Sequence, residues 1–168
     1  MDGLLDSIIG LPQAVPWLRL DLLAKLLLAT LLGGAVGWER ERSRKPAGLR
    51  TNVLICVGAA LIADLSVSAA ALADGPADPA RIAAQIVTGV GFLGAGTIIQ
   101  ERGGVTGLTT AATLWVVAGI GMAVGLGAVA EAVGATFVVL IVLIPLQRLE
   151  AKASGNDEGG NPIRTDSA

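Results

Sequence analysis

Histidine and tyrosine are absent from this sequence, and cysteine occurs once, as Cys56. These absences exclude an intrachain disulfide, a Cys/His zinc cluster and a His-based catalytic dyad. With no convincing nucleophile in their place, the chain is expected not to be an enzyme, and no cofactor is implied. Cys56 lies inside an apolar run, where a small buried side chain is expected rather than the electropositive, partly exposed setting of a reactive thiol. Charge is scarce as well: Asp, Glu, Lys and Arg make up 15% of residues, against about 25% in soluble domains. The net charge is −2, and the cations cluster in one loop and at helix ends. That distribution excludes a broad nucleic-acid surface, which needs a basic stripe or groove.

What is present is apolar. Hydrophobic residues form 53% of the chain and mean hydropathy is +0.70, the composition of a membrane protein in contact with a lipid bilayer. The 23 glycines lack the three-residue period of collagen and fall within apolar runs, where small residues let helices approach closely. Five runs approach the roughly 20 residues a helix needs to cross a bilayer: Leu20 to Trp38, Thr51 to Leu72, Ile82 to Gln100, Thr109 to Leu126 and Val129 to Gln147. Residues 1–19 form a short N-terminal segment interrupted by Pro12 and Pro16, without the basic start of a signal peptide, and Trp17 suits an interface. Residues 20–147 are expected to form one transmembrane domain, and residues 148–168 a polar, disordered tail.

The stretch Trp38 to Asn52 sets orientation. Arg40, Arg42, Arg44, Lys45 and Arg50 lie between two apolar runs, and short loops rich in Lys and Arg stay on the cytoplasmic side. With this loop inside, the outer segments hold Arg19 and Arg81, and the inner ones hold the remaining loop and tail cations. The expected fold is therefore all-α and polytopic, with five transmembrane helices, the N-terminus outside and the C-terminus inside. Pro46 and Gly48 favour a loop, and Thr51 is expected to cap the helix that follows.

Polar residues in the spans fall into two layers. Asp21, Lys25, Asp64, Gln85 and Glu131 are expected near the outer side, Asp64 lying 13 residues past Thr51, or about 20 Å along a helix. An intramembrane acid faces the bundle interior and takes a partner, for which Lys25 has the matching depth. The pair either fixes helix register or serves as a cation or proton station; Asp64 facing outer interfacial water is the third option. The inner layer holds Glu39, Arg40, Glu41, Arg50, Thr51 and Asn52 at one loop, and Glu101, Arg102, Thr109 and Thr110 at the next. Gly37, Gly48, Leu49 and Thr51 recur 59 residues later as Gly96, Gly107, Leu108 and Thr110, which makes hairpins 1–2 and 3–4 a candidate parallel repeat. Two helix starts beside arginines would suit an anion, an acidic headgroup or a partner protein. The letters G-V-G-F-L-G-A-G at Gly89 to Gly96 match a dinucleotide fingerprint but lack its strand and its soluble βαβ unit. Together with Gly107, Gly119 and Gly121, the glycines Gly89, Gly91, Gly94 and Gly96 are expected to pack helices. Pairs such as Gly33 with Gly37 or Gly121 with Gly125 would do so within one chain or between copies of a homo-oligomer.

Three blocks carry a resemblance: G-W-E-R-E-R-S-R-K-P-A-G-L-R-T-N, R-I-A-A-Q-I-V-T-G-V-G-F-L-G-A-G-T-I-I and G-L-T-T-A-A-T-L-W-V-V-A-G-I-G. In this order, over about Gly33 to Leu146, they resemble the MgtC/SapB family of bacterial inner-membrane proteins. The resemblance implies a five-helix membrane domain and a role in magnesium homeostasis, with the rotary ATP synthase as a proposed partner and magnesium transport as a suspected activity. Virulence-linked members carry a soluble domain after the fifth helix; the 20 residues after Arg148 are too few for one, so a short form is expected. Those members also place Asn and Cys where this chain has Thr109 and Val116. The resulting expectation is a small regulatory protein that binds other inner-membrane proteins, with an ion transporter or channel using the Asp64 region as the alternative.

Overall fold

The computed structural model describes residues 19–72, 78, 80–101 and 104–157, with backbone alone at 101 and 145–157. Five helices stand among these residues: α1 (Leu20–Arg42), α2 (Leu49–Ala71), α3 (Ala84–Ala95), α4 (Leu108–Gly125) and α5 (Val129–Asp157). Three of them, α1, α2 and α4, are long and apolar enough to cross a membrane. Met1 to Leu18, Pro76 and Pro79 lie outside the described residues.

Helix ends are defined by local chemistry. α1 closes in a Schellman turn: Lys45 N donates to Arg40 O and Arg44 N to Glu41 O, both at 3.0 Å, with Arg44 held at φ +52°. α4 closes the same way, Ala128 N bonding Ala123 O at 2.8 Å and Gly127 N bonding Val124 O at 3.0 Å, with Gly127 at φ +83°. These tight exits fold α2 back along α1 and α5 back along α4.

Two expectations change. The third apolar run is helical only over 12 residues, about 18 Å of rise and well short of a bilayer core of about 30 Å. Its four glycines, Gly89, Gly91, Gly94 and Gly96, weaken helix propagation, each by about 1 kcal/mol relative to Ala. Past Gly96 the chain is not helical: β1 (Ile99–Glu101) pairs antiparallel with β2 (Gly104–Thr106), Ile99 opposite Thr106. The β-branched residues Ile98, Ile99, Val105 and Thr106 favour this hairpin, so the fold is mostly helical rather than all-α. At the other end, α5 continues through residues 148–157, where a disordered tail was expected.

α4 packs against α1, α2, α3 and α5, and α2 is clasped between α1 and α4. The core is made of small side chains: Ala29, Val36, Cys56, Ala60, Val117 and Val124 are fully buried. Backbones are correspondingly close. A Cβ on Gly33 would lie 2.6 Å from Cys56 Cβ, one on Gly37 2.8 Å from Leu49 Cα, and Gly121 and Gly125 rest against the carbonyls of Cys56 and Ala60. The helix pairs α1–α2 and α2–α4 therefore depend on glycine contact, as close packing in a membrane requires.

Candidate functional site

Polar side chains gather at the two ends of the bundle. At one end Asp64, 3% exposed, is held between two cations. Lys25 Nζ donates to Asp64 Oδ1 at 2.7 Å and to Gly125 O at 3.0 Å, while Arg19 Nη2 lies 2.8 Å from Asp64 Oδ2 as an ion pair. Arg19 also donates to Asp21 Oδ2 and to Ser68 Oγ, each at 3.2 Å. Gly125 is the last residue of α4, whose terminal carbonyls lack partners within the helix, so Lys25 both neutralises Asp64 and caps α4. One lysine thus ties α1, α2 and α4 together. Asp21 pairs with Arg19 rather than with Lys25 one turn on. Gln85 and Glu131 are exposed, and no interaction places them in the cluster. The sequence had marked Arg19 only as an outer cation; its position one residue before α1 and two before Asp21 was the available signal.

At the opposite end the two connections meet. Glu39 and Arg40 are 8% and 2% exposed, with Arg40 Nη1 3.8 Å from Glu39 Oε2, and Ser43 Oγ donates to Glu39 Oε1 at 2.7 Å. Asn52 is fully buried; its Nδ2 donates to Ala47 O at 2.9 Å and Gly48 O at 2.8 Å, bracing the turn that leads into α2. The cap on α2 differs from expectation. Glu41 Oε2, reaching over from α1, accepts from Leu49 N at 2.8 Å, while Thr51 lies inside the first turn, exposed and too late to cap. A Cβ on Gly48 would meet the Glu41 carboxylate, so a larger residue there would have to displace this flexible side chain from its cap on α2. Arg50 is exposed like Thr51. Arg102 lies outside the described residues, as does the side chain of Glu101.

A cavity of about 420 Å³ opens between the turn after α1 and the β1–β2 hairpin, lined among others by Arg40, Lys45, Thr106, Thr109 and Thr110. Gly107, at φ +88°, starts α4 here and fits tightly against Thr97 O. Val116 is half-buried and packs against the core, away from this cavity.

Of the glycines expected to pack helices, Gly121 lies closely on α2 and a Cβ added at Gly94 would meet Ala111 Cβ of α4 at 3.6 Å, whereas Gly107 fits against Thr97 O in the connection after α3 and a Cβ added at Gly96 would face only Leu93 O of its own preceding turn, at 3.3 Å. Gly89, Gly91 and Gly119 face open space. Gly89 lines a second cavity of about 470 Å³, an apolar groove between α2 and α3 that also includes Leu54, Gly58, Ile62 and Leu93.

Long apolar helices packed through glycine, with ionic groups confined to the bundle ends, define a helical membrane protein. The sequence profile of the MgtC family matches residues 26–152, and the chain belongs to that family. It is 49% identical over 122 residues to Protein MgtC of Salmonella typhimurium, covering 73% of this chain and 51% of the relative. Protein MgtC of Brucella abortus is 48% identical over 114 residues, 68% of this chain and 46% of that one. An uncharacterized protein of Haemophilus influenzae is 43% identical over 129 residues, 73% and 54% of the two chains. The chain thus spans about half the length of the relatives it matches. No solved structure matches it.

Proposed function

We propose that the protein is a small regulatory component of the bacterial inner membrane, acting in adaptation to low magnesium or membrane-energy stress by binding other membrane proteins. In this reading the chain crosses the membrane five times, the third crossing made by the 12-residue α3 together with the non-helical residues that follow it, with the Asp64 end outside and the Arg40 end inside. The observation that carries it is the α2–α3 groove: an added Cβ on Gly58 or Gly89 would meet nothing within 4 Å. An open, apolar, glycine-floored groove of this kind suits a transmembrane helix of another protein, because glycine allows backbones to approach, whereas lipid chains need no such allowance. The rotary ATP synthase is the partner that the family resemblance puts forward first.

The Asp64 cluster supports a structural role over transport. A carboxylate whose two oxygens already face Lys25 and Arg19 has little affinity left for a cation, and Mg²⁺ prefers several oxygen ligands and retained waters. The test uses a photo-crosslinking residue at Leu54, with Gly58→Leu and Gly89→Leu as groove-filling variants. The expected result is a crosslink to a membrane protein that both variants abolish together with growth at low magnesium. Protein-dependent Mg²⁺ flux in proteoliposomes would instead establish transport, and a crosslink only to a second copy would make the groove a homo-oligomer interface.

A further inference from the structure

We propose that the cavity at the Arg40 end is a binding site for a phosphate-class anion, either the headgroup of an anionic lipid or a soluble phosphate. The primary observation is Arg40. Its side chain is 2% exposed and forms part of the cavity wall, yet its Nε and Nη2 donate to nothing, and its neighbour Glu39 approaches only Nη1, at 3.8 Å. Glu39 Oε1 is already engaged by Ser43, so this ion pair is loose and one-sided. A buried guanidinium with unsatisfied N–H groups is costly unless something arrives to accept from them. The unsatisfied edge, Nε with Nη2, is covered by the fold, and it is the edge across which an oxyanion is bridged by two parallel hydrogen bonds once the guanidinium turns toward the cavity it lines.

The opposite wall supplies matching donors independently. α4 is 18 residues long and begins at Leu108 with no side-chain cap. Ala111 N is the first amide to bond back, to Gly107 O at 2.9 Å, so the amides of Leu108, Thr109 and Thr110 have no acceptor within the helix. They sit at the positive end of the helix dipole beside two threonine hydroxyls. Lys45 adds an exposed ammonium at the rim. Arginine, lysine, hydroxyls and a helix start on facing walls match a tetrahedral dianion or phosphodiester better than a planar carboxylate. At about 420 Å³ the cavity admits substituents on the phosphate. The exposed apolar side chains of Ile99, Val105 and Leu108 along the same wall fit a headgroup with its glycerol backbone. This site shares no lining residue with the α2–α3 groove, and the inference does not depend on partner binding there.

The experiment reconstitutes the full chain in nanodiscs and follows its thermal unfolding. One arm adds inorganic phosphate to phosphatidylcholine nanodiscs; the other replaces part of the phosphatidylcholine with phosphatidylglycerol. The expected result is concentration-dependent stabilisation in at least one arm, which also identifies the source. Thr109→Asp and Lys45→Gln, on exposed positions that leave the fold intact, should weaken binding by about tenfold and about threefold, as expected for charge placed against or removed from an anion. Arg40→Met should abolish the response, and Arg42→Gln, an exposed cation at the same end, should preserve it. Absence of stabilisation by both probes, or equal binding by Thr109→Asp and the wild type, overturns the proposal.

Discussion

At the residue scale, the structure separates charges that hold the bundle together from charges that are merely tolerated. Asp64 has its oxygens facing Lys25 and Arg19, so Asp64→Ala strands two cations at once. Removing one partner of a fully buried pair costs about 3–5 kcal/mol. Lys25 and Arg19 are 27% and 40% exposed and regain solvent, so a loss of about 1–3 kcal/mol is expected. It is measurable as a lowered midpoint of thermal unfolding in detergent. The double variant Lys25→Met, Asp64→Leu should recover part of that loss, because an apolar pair of similar volume removes one of the two stranded cations while Arg19 keeps Asp21 as its partner; equal destabilisation in the double variant would mean that the Lys25–Asp64 pair is not the origin of the effect. Asn52 makes a similar case without charge. Its amide donates two bonds to the turn before α2, and Asn52→Asp sets a carboxylate against the Ala47 and Gly48 carbonyls. The expected cost is about 1–3 kcal/mol for the lost and now repulsive contacts, whereas Thr51→Ala, one residue away on the exposed face, should leave the midpoint within about a degree because surface changes cost little.

At the element scale, glycine position decides which helices touch. Gly121 lies on the Cys56 carbonyl of α2, while Gly119, two residues earlier, faces open space. Gly121→Val should therefore push α4 off α2 and destabilise the bundle, whereas Gly119→Val should be neutral or slightly stabilising through better helix propensity. Aggregation on size-exclusion chromatography reports the first, and an unchanged elution profile the second; identical behaviour of the two would show that α4 does not pack as described. Elements of this kind were largely legible beforehand. Long, predominantly apolar runs located α1, α2 and α4, and the Gly33–Gly37 and Gly121–Gly125 pairs marked faces of close approach. The depth of Asp64 pointed to Lys25 because both lie near the same bundle end. Less legible was whatever depended on the approach of segments distant in sequence. Nothing local distinguishes Gly89, open to a groove, from Gly121, closed on a backbone. The cap on α2 comes from Glu41 across a turn, and the sequence rule that nominates Thr51 considers only neighbours in the chain. The β1–β2 hairpin was hidden because Ile98 and Ile99 simply continue the apolar run of α3, and the polar stretch from Gln100 to Gly104 reads equally well as a charged loop between two spans; only the accumulated glycines signalled that helix would fail there. The offset of 59 residues holds at the helix starts, since α2 begins at Leu49 after Gly48 and α4 at Leu108 after Gly107. It departs elsewhere: Gly37 lies inside α1, while Gly96 follows the end of α3.

At the scale of the whole molecule, the question is which end faces the cytoplasm. The bundle separates its cations unequally: Arg42, Arg44, Lys45 and Arg50 project at the Arg40 end, exposed or nearly so, while Arg19 and Lys25 at the other end are committed to Asp64. A cation already neutralised by a carboxylate at the bundle end is a weaker determinant of orientation than four free ones in and beside a short loop, because retention is driven by unpaired Lys and Arg near the ends of spans. Orientation should then rest on this loop, and Arg40, though adjacent, should matter little because it is buried in the fold. Replacing Arg42, Arg44, Lys45 and Arg50 together with Gln removes the four without touching the Glu41 cap or the Asn52 brace. With a cytoplasm-active fluorescent reporter or a periplasm-active phosphatase fused to the final residue, the wild type is expected to give fluorescence and no phosphatase activity. The four-fold variant should show a substantial share of phosphatase-active, inverted molecules, and restoring Arg42 and Arg44 should return most of them to the original orientation. Phosphatase activity from the wild-type fusion would reverse the proposed orientation and place the Arg40 cavity on the opposite face of the membrane, exposing it to a different pool of soluble phosphates and a different lipid leaflet.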